Sequence, residues 1–156
     1  MRLYFYRGKG FGAALIRWFS RSKYAHVSIA FEDGIVYEAY PFKGVRKTTL
    51  KSTKGVTPFV FKLGVPIDSA AVRVFCESEL GTPYDYWGVI CFVCGIKPRR
   101  SDSRYFCSEF GMDGLAVGGV ALLERVDSFK VRPDEMSWSP AITVDLALKF
   151  QWDHPI

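Results

Sequence analysis

Few side chains in this sequence can act as a nucleophile or a general base, because the chain contains only four cysteines and two histidines. Cysteine catalysis needs a thiolate, a base that handles its proton, and a third polar group that orients the base. His154 lies beside Pro155 at the end of the sequence, where chains usually fray. We therefore expect His26 to be the base of any such site.

Cys107 is the candidate nucleophile, because a helix is predicted to begin at this residue and to continue to Val117. The partial positive charge at a helix N-terminus stabilises a thiolate. Gly111 and Gly114 lie on one stripe of this predicted helix, so it can approach a sheet closely.

Glu38 is the candidate third group, and the loop of a predicted hairpin decides whether its side chain can reach His26. A two-residue loop would place the two side chains on opposite faces of the sheet. The three-residue loop Glu32–Gly34 places them on the same face as diagonal neighbours. Such loops end in a left-handed residue, and Gly34 suits that position. We therefore predict the three-residue loop, which pairs Ser28 with Glu38.

The length and composition predict one globular domain that spans residues 1–156. Hydrophobic residues make up 49% of the chain and charged residues 24%, which excludes a disordered chain. The four cysteines are too few for a disulfide scaffold. The net charge of +5 permits an anionic partner without requiring one.

The residue pattern predicts neither a secretory signal nor a membrane-spanning segment. Residues Met1–Tyr6 alternate in polarity and lack the continuous apolar core of a signal peptide. The most apolar run, Tyr84–Ile96, contains Asp85 and is shorter than the roughly 20 residues that a membrane helix needs. We expect a protein that is cytoplasmic as synthesised, or one that is phage-encoded or delivered to the cell wall by other means.

The hydrophobic periodicity predicts strands first and helices afterwards, an order typical of the α+β class. A turn over Gly8–Gly12 follows the first strand. The predicted strands are Leu3–Arg7, Ala25–Phe31, Ile35–Tyr40, Gly44–Leu50 and Thr57–Leu63. The predicted helices are Ala13–Ser20, Ile67–Leu80, Tyr84–Cys94, Cys107–Val117 and Pro140–Phe150.

Several short motifs follow one another along the chain, namely Tyr24–Ile29, Asp33–Ala39, Gly44–Val45, Gly81–Asp85, Tyr105–Glu109 and Ser139–Pro140. In this order they resemble the motifs of circularly permuted papain-like hydrolases of the NlpC-related superfamily, in its YiiX-like branch. In this permuted group the histidine half precedes the cysteine half, as it does here. The motifs span about residues 24–140, and the similarity is dense only within them.

The resemblance implies a permuted papain-like fold, with an antiparallel sheet packed against helices and the nucleophilic cysteine at a helix N-terminus. It implies that Cys107 is the nucleophile, His26 the base and Glu38 the orienting group. The backbone N–H of Cys107 would contribute to an oxyanion hole. Tyr84 and Tyr105 are the expected pocket residues on this resemblance.

The implied activity is amide hydrolysis through an acyl-enzyme, on a peptide or peptidoglycan-like substrate. Related branches act on thioesters and lipid esters, so a lipid-directed acyl hydrolase or acyltransferase on the same two residues is the alternative. We expect a monomer that needs no cofactor or metal. Arg104 lies close to Cys107 in sequence, so we add it to the substrate-binding residues and expect it to help hold the thiolate.

Three other interpretations remain open. Cys91 and Cys94 form a C-x-x-C motif within the most apolar run, where core cysteines are a better interpretation than zinc or redox chemistry. The basic residues favour solvated loops, and an anionic substrate, a membrane surface or a nucleic acid are the alternatives; no nucleic-acid motif matches. A non-catalytic papain-like binding module is the third interpretation. The basic residues are Arg46, Lys47, Lys51, Lys54, Lys97, Arg99, Arg100 and Arg104.

Overall fold

A computed structural model of the chain describes residues 1–7, 23–49, 58–96 and 103–145. The predicted turn over Gly8–Gly12 and the predicted helix Ala13–Ser20 lie outside these residues, as do most of the basic side chains named above.

The described residues form a six-stranded antiparallel sheet with helices packed against it, which confirms the predicted α+β class. The strand order across the sheet is β4-β3-β2-β1-β5-β6. Each neighbouring pair runs antiparallel. The strands are β1 (Arg2–Tyr6), β2 (His26–Ala30), β3 (Ile35–Tyr40), β4 (Gly44–Thr49), β5 (Phe59–Leu63) and β6 (Ile142–Val144).

Four α-helices and a short 3-10 turn complete the described structure. The helices are α1 (Ser69–Ser78), α2 (Tyr86–Cys94), α3 (Cys107–Val117) and α4 (Pro133–Met136), and the 3-10 turn is Ser128–Lys130. Asp68 caps α1 by accepting hydrogen bonds from two backbone N–H groups, which explains why this helix begins where it does. The bounds of α3 are those predicted from the sequence.

The main core lies between one face of the sheet and α3. Ile29 on β2 and Leu115 on α3 are both fully buried in it. A Cβ atom added at Gly114 would lie 2.9 Å from Cδ1 of Ile29, so the absence of a side chain there permits the close approach of helix and sheet. The predicted role of this glycine is confirmed.

The predicted helix Pro140–Phe150 is wrong over its first part. Residues Ile142–Val144 form β6, which pairs with β5 through Leu63↔Ile142 and Phe61↔Val144. β-branched side chains suit a pleated strand, and the pairing covers backbone groups of β5 that would otherwise form a sheet edge. The order of strands first and helices afterwards is therefore broken by a strand that returns to the sheet.

The remaining elements differ from the predictions at their ends. The helix expected from Tyr84 begins at Tyr86. The Asp85 carboxylate caps it by accepting a hydrogen bond from the backbone N–H of Gly88 at 3.0 Å.

Cys94 is exposed, whereas Cys76 and Cys91 are buried, so the expectation that both C-x-x-C cysteines belong to the core is wrong for Cys94. Within the described ranges, the helices are too short or too polar to cross a membrane.

Candidate active site

The turn between β2 and β3 has the predicted three-residue geometry. Ile29 pairs with Tyr37 and Ala30 with Val36, a register that places Glu38 opposite Ser28. Gly34 has a φ of 81°, the left-handed conformation that the last position of this loop requires. This register puts Glu38 on the same face of the sheet as His26, since side chains two residues apart on a strand share a face.

His26 and Glu38 form a short hydrogen bond, with 2.6 Å between Nε2 and Oε2. The Glu38 side chain is only 3% exposed. Its burial disfavours the charged carboxylate, but the hydrogen bonds and charges of His26 and Arg46 outweigh that effect and lower the pKa of Glu38. Because the carboxylate is ionised, Nε2 carries the proton and donates it.

Arg46 holds the other oxygen of the same carboxylate. Its Nε and Nη2 atoms donate to Oε1 of Glu38 at 2.9 and 2.5 Å. Arg46 is the cross-strand partner of Glu38 in the β3–β4 pair, and its Cζ atom lies 4.0 Å from the ring centroid of Tyr40. That ring and the His26 ring meet edge to face, with centroids 5.6 Å apart. The guanidinium and the ring therefore fix both ends of the His26–Glu38 pair.

Arg46 and Lys47 both lie on β4, within the strand predicted over Gly44–Leu50. The expectation of solvated basic side chains is wrong for Arg46, which pairs with the buried Glu38 carboxylate, whereas Lys47 is exposed and forms an ion pair with Glu77 at 2.7 Å. The signal that would have identified Arg46 is the register of the second hairpin. That hairpin has a three-residue loop like the first, which places Arg46 opposite Glu38.

Cys107 begins α3 and is buried at the inner end of the site. The residue before it, Phe106, is extended and supplies no side-chain cap, so the first N–H groups of α3 are not capped by that side chain. Burial lowers the pKa of His26, but hydrogen bonds and charges from Cys107 and Glu38 outweigh it and raise that pKa to about 10. The imidazole therefore lies between the thiol and the carboxylate. Since Nε2 faces Glu38, Nδ1 is left for Cys107.

Tyr84 provides a second polar contact to Cys107. Burial and the neighbouring charges of Cys107, Tyr86 and Asp85 raise the pKa of Tyr84 well above its ordinary value. The phenol therefore stays protonated and donates its hydrogen bond to Cys107.

Backbone pairing brings the motif around Tyr84 close to Cys107. Tyr84 and Tyr105 form a parallel bridge, in which the N–H of Asp85 donates to the carbonyl of Tyr105 at 2.9 Å. On the other side, the N–H of Val45 donates to the carbonyl of Thr82 at 2.8 Å. The bridge and this second contact join the segment before α2 both to the residues before Cys107 and to the start of β4.

A surface pocket of about 470 Å³ lies beside this segment. Of the three residues expected to bind substrate, Tyr84 and Arg104 line it. The Tyr105 ring packs instead against Phe75 and Phe110, with centroids 6.2 and 5.8 Å away. Tyr84 therefore connects the pocket to Cys107, whereas Tyr105 acts through its backbone. The other lining residues are Phe42, Lys43, Gly44, Gly81, Pro83 and Tyr86.

A solved structure is similar to this chain over nearly its whole length. It is the crystal structure of the metalloprotein yiiX (DUF1105) from Escherichia coli O157:H7, with a TM-score of 0.66 and 16% sequence identity. The alignment covers 91% of this chain and 93% of that one. The two chains share a YiiX-like fold. No family model matches the sequence, and no curated protein matches it.

The side chains of the candidate site do not fit a metal centre of the kind that the description of yiiX mentions for that protein. Nε2 of His26 is occupied by Glu38, and the other side of the ring faces Cys107, so neither nitrogen points to a shared ligand position. In the ranges that the structure describes, no cluster of three His, Cys, Asp or Glu side chains is arranged to hold a metal ion.

Proposed function

We propose that this protein is a cysteine hydrolase that acts through an acyl-enzyme on Cys107. The observation that supports it is the continuous polar relay from Cys107 through His26 and Glu38 to Arg46. Such a relay orients an imidazole and stabilises its protonated form beside a thiolate, which is what nucleophilic cysteine catalysis requires. The histidine half before the cysteine half, together with the YiiX-like fold, supports a permuted papain-like enzyme of the NlpC-related superfamily.

The proposed reaction begins when Sγ of the Cys107 thiolate attacks the substrate carbonyl carbon, and the carbonyl electron pair moves onto oxygen. The backbone N–H of Cys107 stabilises that oxyanion. Collapse of the intermediate breaks the bond to the leaving group, which takes the proton from Nδ1 of His26. Neutral His26 then takes a proton from water, and the hydroxide attacks the thioester. The second collapse releases the acid and restores the thiolate and the imidazolium.

The proposed substrate is an amide in a peptide or peptidoglycan-like molecule, which rests on the resemblance to amide-cleaving relatives. A lipid acyl ester is the second candidate. The observation that favours it is the aromatic wall of the pocket, where Phe42 and Tyr86 lie beside Tyr84.

Thiol labelling tests the nucleophile, and Cys94 is a matched control because it is exposed while Cys107 is buried. Iodoacetamide near neutral pH should modify Cys107 faster than Cys94, although exposure alone predicts the reverse order. His26→Ala should slow the labelling of Cys107 by about 10²-fold and leave Cys94 unchanged. Faster labelling of Cys94, with no effect of His26→Ala on Cys107, would refute the proposal.

Product analysis separates the two substrate classes and the non-catalytic alternative. The wild-type protein and Cys107→Ala are each incubated with peptidoglycan fragments and with acyl esters. New amines that need Cys107 support amide hydrolysis, and released fatty acid that needs Cys107 supports the lipid candidate. A binding module would be identified by two results together. The two proteins would form equal amounts of product, or none, and iodoacetamide would modify Cys107 no faster than Cys94.

A further inference from the structure

Helix α2 presents an apolar stripe to solvent. Trp87, Ile90 and Cys94 are exposed and follow one another at the i, i+3, i+7 spacing of one helix face, while Gly88 and Cys91 face inward. Trp87 alone is 60% exposed. A solvated helix face normally carries charged side chains, so a continuous apolar stripe of this kind indicates an interaction surface.

An exposed aromatic residue in the loop between β3 and β4 extends this stripe. Phe42, at the tip of the β3–β4 loop, is 93% exposed and has a φ of 65°, a conformation that is uncommon for a bulky residue. The N–H of Phe42 donates to the Tyr86 hydroxyl at 2.6 Å, and the two rings lie 5.8 Å apart. We refer to Phe42, Tyr86, Trp87, Ile90 and Cys94 as the apolar face.

The charge around the apolar face is positive. Lys43 and Arg104 line the pocket beside Phe42 and Tyr86. In the sequence, α2 is followed by Lys97, Arg99 and Arg100, and no Asp or Glu occurs between Tyr86 and Ser101. This combination of aromatic side chains and basic neighbours matches the boundary of an anionic bilayer, where rings enter the headgroup region and cations approach the phosphates.

We propose that the apolar face docks on an anionic lipid surface. Docking would turn the pocket towards the lipid headgroups, because Phe42 and Tyr86 belong to both the face and the pocket wall. A second copy of this chain is a poorer occupant, since a symmetric contact would bring the basic residues of both copies together. The docking goes beyond the proposed hydrolase and does not depend on it, because it uses neither Cys107 nor His26.

Co-sedimentation with lipid vesicles tests this docking. The full chain should bind vesicles that contain phosphatidylserine and should bind pure phosphatidylcholine vesicles much more weakly. Added salt should weaken the binding, because exposed charges are screened. The double variant Trp87→Ser/Ile90→Ser should lose about tenfold or more in vesicle affinity.

Two controls separate docking from folding and from catalysis. Val74→Ser removes an apolar side chain that is 70% exposed on α1 and lines a different surface pocket from Phe42 and Tyr86, and it should leave vesicle binding unchanged. Cys107→Ala should also bind normally, so a failure of the hydrolase proposal cannot be mistaken for a failure of docking. Circular dichroism checks that every variant is folded.

Two outcomes would overturn the docking proposal. One is equal vesicle binding by the wild-type protein and the double variant. The other is a wild-type dimer in sedimentation equilibrium that the double variant loses, together with no vesicle binding by either, since the apolar face would then be covered by a second copy of the chain.

Discussion

His26 and Glu38 lie twelve residues apart on neighbouring antiparallel strands, with Nε2 and Oε2 separated by 2.6 Å. The loop that joins these strands decides the contact, because one residue fewer would move Glu38 to the other face of the sheet. The three-residue turn ending at Gly34 therefore determines whether the imidazole has an orienting group.

Replacing the carboxylate tests its charge separately from its shape. Glu38→Gln keeps a carbonyl oxygen for Nε2 but removes the negative charge that helps raise the pKa of His26 to about 10. We expect that pKa to fall and the alkylation rate of Cys107 at neutral pH to fall by about 10²-fold. The pH profile of alkylation measures both effects, and an unchanged profile would show that Glu38 does not act on the imidazole.

Arg46 is expected to act as a positioning residue through Glu38. Arg46→Ala leaves the buried carboxylate with one partner fewer and should raise the pKa of Glu38. The alkylation rate of Cys107 should fall about tenfold, and the acidic limb of its pH profile should move to higher pH. Arg46→Lys restores the charge without the two-nitrogen contact, so partial recovery is expected. No recovery would mean that the packing against Tyr40 matters rather than the charge.

The Tyr84 hydroxyl should affect the reactivity of Cys107 without affecting the fold. Tyr84→Phe keeps the buried ring and removes the hydrogen bond to Cys107. We expect the alkylation rate to fall about threefold to tenfold at neutral pH, since one neutral hydrogen bond contributes about 1 kcal/mol. Tyr105→Phe is the matched control, because its ring packs against Phe75 and Phe110 rather than lining the pocket. Equal effects of the two variants would contradict a specific role for Tyr84.

The stability of the fold should depend on pH through His26. The folded-state pKa is raised from 6.5 to about 10, so the protonated ring stabilises the fold fully below about pH 6.5, and this contribution is lost as the pH rises through 10. Urea unfolding of the wild-type protein and His26→Gln should differ by several kcal/mol at the lower pH, since each unit of pKa difference between the folded and unfolded states contributes about 1.4 kcal/mol, and should converge above pH 10. His154→Gln is the control and should keep the wild-type profile.

Glu38 also makes the stability of the fold depend on pH, but in the opposite direction to His26. Its folded-state pKa is lowered from 4.5, so its stabilisation is present above that value and is lost as the pH falls through the lower folded-state pKa. The wild-type protein should therefore lose stability at acid pH more steeply than Glu38→Gln. Parallel unfolding curves in acid would contradict this expectation.

Gly81 and Gly44 both have a positive φ, so their alanine variants distinguish the cost of backbone strain from that of a steric clash. A Cβ at Gly81 meets nothing within 4 Å, whereas a Cβ at Gly44 would lie 2.3 Å from the carbonyl oxygen of Thr82. Gly81→Ala should cost about 1–2 kcal/mol of unfolding free energy, which is the left-handed strain alone. Gly44→Ala should cost about 3 kcal/mol or more and should also slow the labelling of Cys107, because the Thr82–Tyr84 segment must move. Equal losses of unfolding free energy in the two variants would show that the contact between Gly44 and the Thr82 carbonyl is loose.

The sequence by itself determined the parts of this site that depend on local geometry. The turn chemistry of Gly34 predicts the hairpin register, and the same register places Glu38 beside His26. The helix that begins at Cys107 was also predictable, because its bounds follow from residues within the same short segment. In these cases the controlling interactions join residues that are close in the chain.

Only the tertiary structure decided the parts that depend on residues distant in sequence. The position of Arg46 beside Glu38 is not one of these parts, because the three-residue loop of the β3–β4 hairpin places the two residues opposite each other, only eight residues apart. β6 was predicted as helix, because the unpaired edge of β5 that it covers is more than seventy positions earlier in the chain. Local propensity contains no information about such partners. The contact of Tyr84 with Cys107 likewise needs the backbone bridge to Tyr105, which joins two separate motifs only in the folded chain.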